Sequence, residues 1–373
     1  MTPAQKEYLC ILGSALLPDV GTKAPSADPG DIEQVIGNAT RQCTRGLVFE
    51  QLTSSGLVQD KAMHDRMRTF MIHNISTHGK LNALLVKVVK AMDEEGIHSV
   101  LLKGQGIASI YPVPYLRECG DIDLYVGEKN YAQACRIARS LTTEEEIKKA
   151  EDGLKHYTIS IDGLSLEVHR VSDRIPVKEK DVPYQAFAAK GLEENTVGVD
   201  FGGTVVQTPS DSFNAYFLFH HAFHHFLTGG VGMRQVCDWT RLLHVRKDNI
   251  DRDYLREALL SEGVMLPWQA FGYIAVNFLG LPEGEMPFYD PSVKDKALRT
   301  LDIILSEGNF GRGNVPRIKR PKGYVLGKAH SLFRHIQRAV NLGKLFPEVS
   351  REQLKYTIRG GFAKVLMDIR GES

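Results

Sequence analysis

The sequence predicts an α+β protein in which a small mixed β-sheet sits between an N-terminal helical region and a C-terminal one. Two patterns and one turn carry this reading. Runs that alternate apolar and polar residues, the period of a strand, are confined to about residues 99–209. Apolar residues at helical spacing fill the chain on either side. Asp162-Gly163 joins two of the alternating runs, and Asp-Gly is the strongest short-range hairpin signal. The chain accordingly divides into a helical region at 1–95, an α/β core at 96–208 and a helical domain at 209–373.

Each element follows in order. Tyr8 to Leu17 is an apolar run too short for a membrane span; it follows Lys6-Glu7 and ends at Pro18-Asp19. It reads as a buried helix and not as a secretion signal. The longest amphipathic helix runs from near Lys61 to Met92, with Met67, Phe70, Met71, Ile75, Leu81, Leu84, Leu85, Val88 and Met92 on its apolar side. Gly79 is the place where it is expected to bend or break. Ser99 to Leu102 is a buried strand, followed by a Lys-Gly-Gln-Gly turn, a short helix ending near Tyr111-Pro112, and a strand opening at Asp121. Asn130 to Ser140 reads as a crossover helix and Thr143 to Ala150 as a charged one. HYTISI, from His156, and LSLEVHRV, from Leu164, form the hairpin. Thr208-Pro209-Ser210-Asp211 starts the next helix, with proline expected in its first turn.

The chemistry concentrates in the core. Alternate side chains of a strand share a face, so Asp121, Asp123 and Tyr125 point one way and Ile122, Leu124 and Val126 the other. Two carboxylates side by side repel unless a cation sits between them, and Mg2+ held by carboxylates and substrate phosphates is the usual resolution. On the later hairpin, Ser165, Glu167 and His169 share a face. If that hairpin pairs beside the Asp121 strand, Glu167 completes a three-carboxylate cluster of the kind that holds two metal ions in phosphoryl and nucleotidyl transfer.

The segments LLKGQGIASIYP, LRECGDIDLYV, LEVHR, HHAFHHFLTGGVGMRQVCDW and EGNFG, spread from about Leu101 to Gly311, together resemble the polymerase beta-like nucleotidyltransferase superfamily. Within it they resemble most the bacterial branch called uncharacterised nucleotidyltransferase family 5. The superfamily's usual Gly-Gly or Gly-Ser is here Lys103-Gly104, and the gap to the first aspartate is longer. The resemblance implies that Asp121, Asp123 and Glu167 are catalytic and hold metal, two Mg2+ ions being expected, with Glu167 as third ligand or as the base for the acceptor hydroxyl. It implies that Gly104 lets the backbone approach a triphosphate and that Lys103 and Arg117 contact phosphates. The implied reaction moves a nucleoside monophosphate from an NTP, ATP among the candidates, to a hydroxyl acceptor and releases pyrophosphate. A catalytically inactive relative that binds a nucleotide or a partner is the alternative.

Other features point elsewhere or nowhere. Gly104-x-Gly106-x-x-Ser109 mimics a dinucleotide-binding turn, but its acid would close the second strand, whereas Asp121 and Asp123 open theirs. His220/His224 and His221/His225 have the spacing of metal-binding pairs, which makes a zinc hydrolase a rival. No glutamate stands between them as a base, and the simpler expectation packs one pair inward and turns the other to the cleft. His64-Asp65 has no partner histidine before it. Gly229 to Gly232 leads into a helix whose first turn carries Arg234, a place unfavourable for a cation unless an anion is bound nearby, so Arg234 is a candidate nucleotide contact. Asp238 is expected to pair with Arg234 or Arg241. VPRIKRPKG, from Val315 to Gly323, reads as an exposed basic loop.

Composition sets the frame. At 373 residues, 43% hydrophobic and 24% charged, the chain is an ordinary globular protein with a large core. A net charge of +1 provides no general attraction to nucleic acid or membrane, so the expected partners are an NTP and a small-molecule or macromolecular hydroxyl acceptor. Cys10, Cys43, Cys119, Cys135 and Cys237 are scattered without a CxxC pair, which reads as reduced thiols in cytoplasm. Nothing beside Cys119 in sequence suggests an activated thiolate.

Overall fold

In the computed structural model the described residues are 1–21, 32–311 and 324–370; the basic VPRIKRPKG segment lies outside them. The N-terminal region holds α1 (Pro3–Leu16), α2 (Ile32–Gln42), α3 (Arg45–Ser54) and α4 (Lys61–Glu94). A capping box closes the start of α1, with Thr2 accepting from the Gln5 amide and the Gln5 side chain accepting from Thr2 N–H. Asp60 caps α4 by accepting from Met63 N–H at 2.6 Å.

The predicted break at Gly79 does not occur: α4 runs unbroken through it. A helical glycine costs about 1 kcal/mol relative to alanine. That is small beside the burial of Leu81, Leu84, Leu85, Val88, Val89 and Met92 along the same helix. The stripe differs from its prediction at one turn. Ile75 is exposed, and Asn74 and His78 are buried in its stead. These polar side chains donate to the carbonyls of Tyr115 and Arg117 respectively, the latter at 2.7 Å, so α4 holds the loop that leads to Asp121.

The central region contains β1 (Val100–Leu101), α5 (Gln105–Ala108), β2 (Asp121–Tyr125), α6 (Gly127–Ser140), α7 (Glu144–Lys149), β3 (Glu151–Asp152), β4 (His156–Ile161), β5 (Leu164–His169), α8 (Lys178–Ala189), β6 (Val197–Asp200) and β7 (Val205–Thr208). The strands form one mixed sheet in the order β3-β4-β5-β2-β1-β7-β6. Asp162 and Gly163 both have positive φ, +53° and +76°, as a tight hairpin between β4 and β5 requires. β2 runs parallel to β5 and antiparallel to β1. The antiparallel pairing excludes a dinucleotide-binding βαβ unit here, because that unit needs parallel strands. The β6–β7 hairpin was not predicted; β7 extends the sheet by pairing parallel to β1.

Strand alternation sorts the sheet into two faces. Ile122, Leu124, Leu166 and Val168 join α4 and α6 in one buried cluster. Val100, Leu102 and Tyr125 belong to a second cluster on the other side. That cluster includes the C-terminal helices α9 (Asp211–Thr228), α10 (Met233–Val245), α11 (Arg252–Glu262), α12 (Met265–Leu279) and α13 (Lys294–Glu307). Ser210 caps α9, its hydroxyl accepting from Phe213 N–H, so Pro209 precedes the helix and is not in its first turn as expected. α9 is apolar almost all round, and Phe219 packs on Trp239, Trp268 and Phe271. α14 (Tyr324–Leu342) and α15 (Pro347–Arg370) complete the described chain. Among the described residues no helix is long and apolar enough to cross a membrane.

The approach of α3 to the loop before β2 is close. A Cβ on Gly46 would lie 2.1 Å from the Leu116 carbonyl oxygen, and the adjacent Arg45 binds Glu118 through its backbone N–H and its guanidinium. Gly46→Ala is therefore expected to destabilise the fold by about 1–3 kcal/mol through overpacking, read as a shift in the urea midpoint. An unchanged midpoint would mean that this approach is not tight.

Candidate active site

The polar face of β2 and β5 floors a cleft of about 1030 Å³, counting its open mouth, whose far wall is α9 and α10. Parallel pairing in register sets Asp123 beside Glu167 and Asp121 beside Ser165. Asp121, Asp123 and Glu167 all line this cleft, together with Lys103, Gly104, Arg117 and Arg234. Every site residue expected from the sequence is thus brought to one cavity.

The acids do not stand alone. Lys103 Nζ lies 3.2 Å from Asp123 Oδ1, and His169 Nε2 approaches the same oxygen at 3.2 Å. His169 Nε2 is also 3.3 Å from Glu167 Oε2, and His156 Nε2 is 3.7 Å from it. Neighbouring Asp123 and burial raise the Asp121 pKa, with Lys103 opposing them. Burial alone would raise Asp123 too, but Lys103 and His169 outweigh it and hold that carboxyl well below its ordinary value. Burial acts against the charged forms of Lys103 and His169, yet the adjacent acids prevail and raise both. Two protein cations thus offset part of a three-carboxylate cluster.

Gly104 has φ +58°, and a Cβ there would press on the Asp121 carbonyl oxygen at 3.3 Å. That conformation turns the chain out of β1 and delivers Lys103 to the acids. The helix that follows has only four residues, shorter than the sequence suggests.

Arg117 differs from its expectation as a free phosphate contact. Its guanidinium is buried and forms a two-pronged pair with Asp238, Nε to Oδ1 and Nη2 to Oδ2, both at 2.8 Å. Tyr111 donates to the same carboxylate at 2.6 Å. Asp238 therefore pairs with neither Arg234 nor Arg241. Arg234 donates from Nη1 to the Glu118 carbonyl at 2.8 Å while lining the cleft. Arg241 turns instead to the Ile110 carbonyl, at 2.7 Å. Cys119 also departs from its prediction. Burial pushes its thiol up, but Arg117 and His78 outweigh that and lower its pKa.

The histidine helix separates into two faces. His221 and His225 line the cleft, and their pKa values are lowered, His225 to about 4, mainly by burial. His220 is packed inward between Glu262 and Asp173, with Nδ1 2.8 Å from Glu262 Oε1 and Nε2 3.5 Å from Asp173 Oδ2. Lys155 holds Asp173 at 2.9 Å, so the chain of two cations and two anions is balanced. Neither i,i+4 pair is joined by an acid into a metal set; the group of described residues with metal-ligand spacing is His156, Glu167 and His169.

His156, Lys155 and Asp173 are cleft residues that the sequence reading did not select. A signal for His156 existed. The two-residue turn pairs Ile161 with Leu164, and counting back along both strands puts His156 opposite His169.

A model of the uncharacterised nucleotidyltransferase family matches residues 28–280, a span that contains every residue of this cleft. The chain belongs to that family. Among solved structures it is similar to an antigenic nucleotidyltransferase-like protein from Paracoccidioides brasiliensis, at 12% identity and a TM-score of 0.31, over 48% of this chain and 85% of that one. No curated protein matches.

Two outcomes are expected for this nucleotidyltransferase-family chain. Asp238→Asn strands a buried guanidinium and should cost about 3–5 kcal/mol in denaturant unfolding. A solvent-facing Arg117 would give almost no change. The second concerns His220, whose pKa is raised to about 10: burial opposes the shift, but Glu262 and Asp173 prevail. A raised folded pKa gives stability that is complete below the unfolded value of about 6.5 and is lost as pH climbs to about 10. The stability gap between wild type and Glu262→Gln should therefore be widest below that lower pH and narrow across the window. A gap that stays constant with pH would contradict the charged His220.

Proposed function

We propose that this cleft transfers a nucleoside monophosphate from an NTP to a hydroxyl acceptor, with release of pyrophosphate. The observation that carries this reading is the convergence of Asp121, Asp123 and Glu167 from two register-paired strands into one open cavity beside Lys103 and Gly104. Family membership supports it.

The donor set fits a hard divalent cation. Its oxygens are carboxylates on one face, and the repulsion that raises Asp121 is relieved by added positive charge. Asp121, Asp123 and Glu167 would hold two Mg2+ ions. When bound, these ions would supply charge neutralisation for the triphosphate and lower the cost of ionising the acceptor. The protein's own groups do the positioning. Lys103 and Arg234 bring positive charge to the phosphates, and the Gly104 turn lets the backbone come close. Arg117 acts through its pair with Asp238, which fixes the loop carrying Glu118 and Cys119. Glu167, only partly buried, is the third ligand of that set or the base that takes the acceptor's proton. The scattered reduced cysteines support a cytoplasmic setting.

One observation favours a second reading. The Lys103 ammonium already occupies an Asp123 oxygen, as a stand-in cation would in an inactive nucleotide-binding relative. Calorimetry with ATP, GTP, CTP and UTP, each with Mg2+, separates the two when coupled to a pyrophosphate-release assay. Transfer predicts Mg2+-dependent binding of a preferred nucleotide that Asp121→Ala/Asp123→Ala weakens by about 100-fold or more, together with acceptor-dependent release of pyrophosphate. Metal-independent binding that survives the double substitution would leave the inactive relative.

A further inference from the structure

The imidazoles beside Glu167 have no part in the transfer chemistry just described, and each keeps a buried Nδ1 without a hydrogen-bond partner. His156 and His169 are register partners on β4 and β5, and Glu167 lies two residues before His169 on the same face of β5. Both Nε2 atoms turn to one oxygen of Glu167, at 3.7 Å and 3.3 Å. The three donor atoms lie within 4.8 Å of one another. Ligands about 2.0–2.1 Å from a tetrahedral zinc ion stand about 3.3–3.4 Å apart. The two distances to Glu167 are thus near those of a formed site.

We propose that His156, Glu167 and His169 bind a borderline divalent cation, Zn2+ foremost. The site is chemically distinct from the all-carboxylate Mg2+ set and shares Glu167 with it. Two imidazoles and one carboxylate favour Zn2+ over Mg2+, which takes oxygen donors. Binding requires His169 Nε2 to give up its proton and its 3.2 Å contact with Asp123 Oδ1, an oxygen that Lys103 continues to hold. Three protein ligands lining an open cleft leave the fourth position facing the cavity, as in zinc sites that accept a water or substrate oxygen. The site needs no nucleotide, so it stands or falls apart from the transferase reading.

The test uses the full chain stripped by EDTA, titrated with Zn2+ alone against a chromophoric chelator, with Co2+ as a spectroscopic probe of tetrahedral geometry. One Zn2+ per chain is expected, weakened by no more than a few-fold by millimolar Mg2+, which can compete only for the shared Glu167. His156→Asn should weaken it by about 100-fold, whereas Asp121→Asn, outside the set, should change it by less than about 3-fold. His156 is partly exposed, so its replacement leaves the core intact; circular dichroism checks this. Absence of Zn2+ binding, or equal affinity in His156→Asn, overturns the proposal. Zn2+ binding that survives His156→Asn and is lost in His225→Asn would move the site to the histidine helix and also overturn it.

Discussion

The parallel, in-register pairing of β2 with β5 is the constraint on which the cleft depends. It sets Asp123 directly beside Glu167, and with the β4–β5 hairpin it places His156, Glu167 and His169 on one face. A one-residue slip of β5 would turn Glu167 and His169 to the apolar side and bring Leu166 and Val168 into the cleft. Burial of Ile122, Leu124, Leu166 and Val168 against α4 and α6 prevents that slip, so the apolar face of the sheet fixes the register of the polar one.

A second set of interactions carries the acids to their place. The loop before β2 is held by Asn74 and His78 of α4, by Arg45 of α3 and by Asp238 of α10. Three separate helices therefore determine where Asp121 begins. Within the cleft the charges are arranged so that no buried acid lacks a cation. Lys103 and His169 serve Asp123, Arg117 serves Asp238, and Lys155 with His220 serves Asp173. Unpaired carboxylates at such depth would be strongly disfavoured. Asp121 is the acid left with the least compensation, and its raised pKa reflects that.

The amino-acid sequence by itself determined the α+β class, the hairpin at Asp162-Gly163, the alternation that turns Asp121 and Asp123 to one face, and the start of α9 near Ser210. These follow from local rules of period, turn chemistry and capping, which act over a few residues and can be read along the chain. It also singled out Lys103, Gly104, Arg117, Glu167 and Arg234, all of which meet in one cavity. Tertiary structure alone decided which partners those residues meet there. Arg117 could not be told from a phosphate ligand until α10 brought Asp238 to it across 121 residues of sequence. Asn74 and His78 could not be told from solvated helix residues until the loop carbonyls arrived, and the helix continues through exposed Gly79 because Leu81, Leu84, Leu85 and Val88 on its other side are buried against the sheet. The meeting of His156 with His169 required the strand register as well as the strand pattern. Partner choice for a charge or an imidazole is a long-range property, settled by which elements pack together, and local sequence has no access to it.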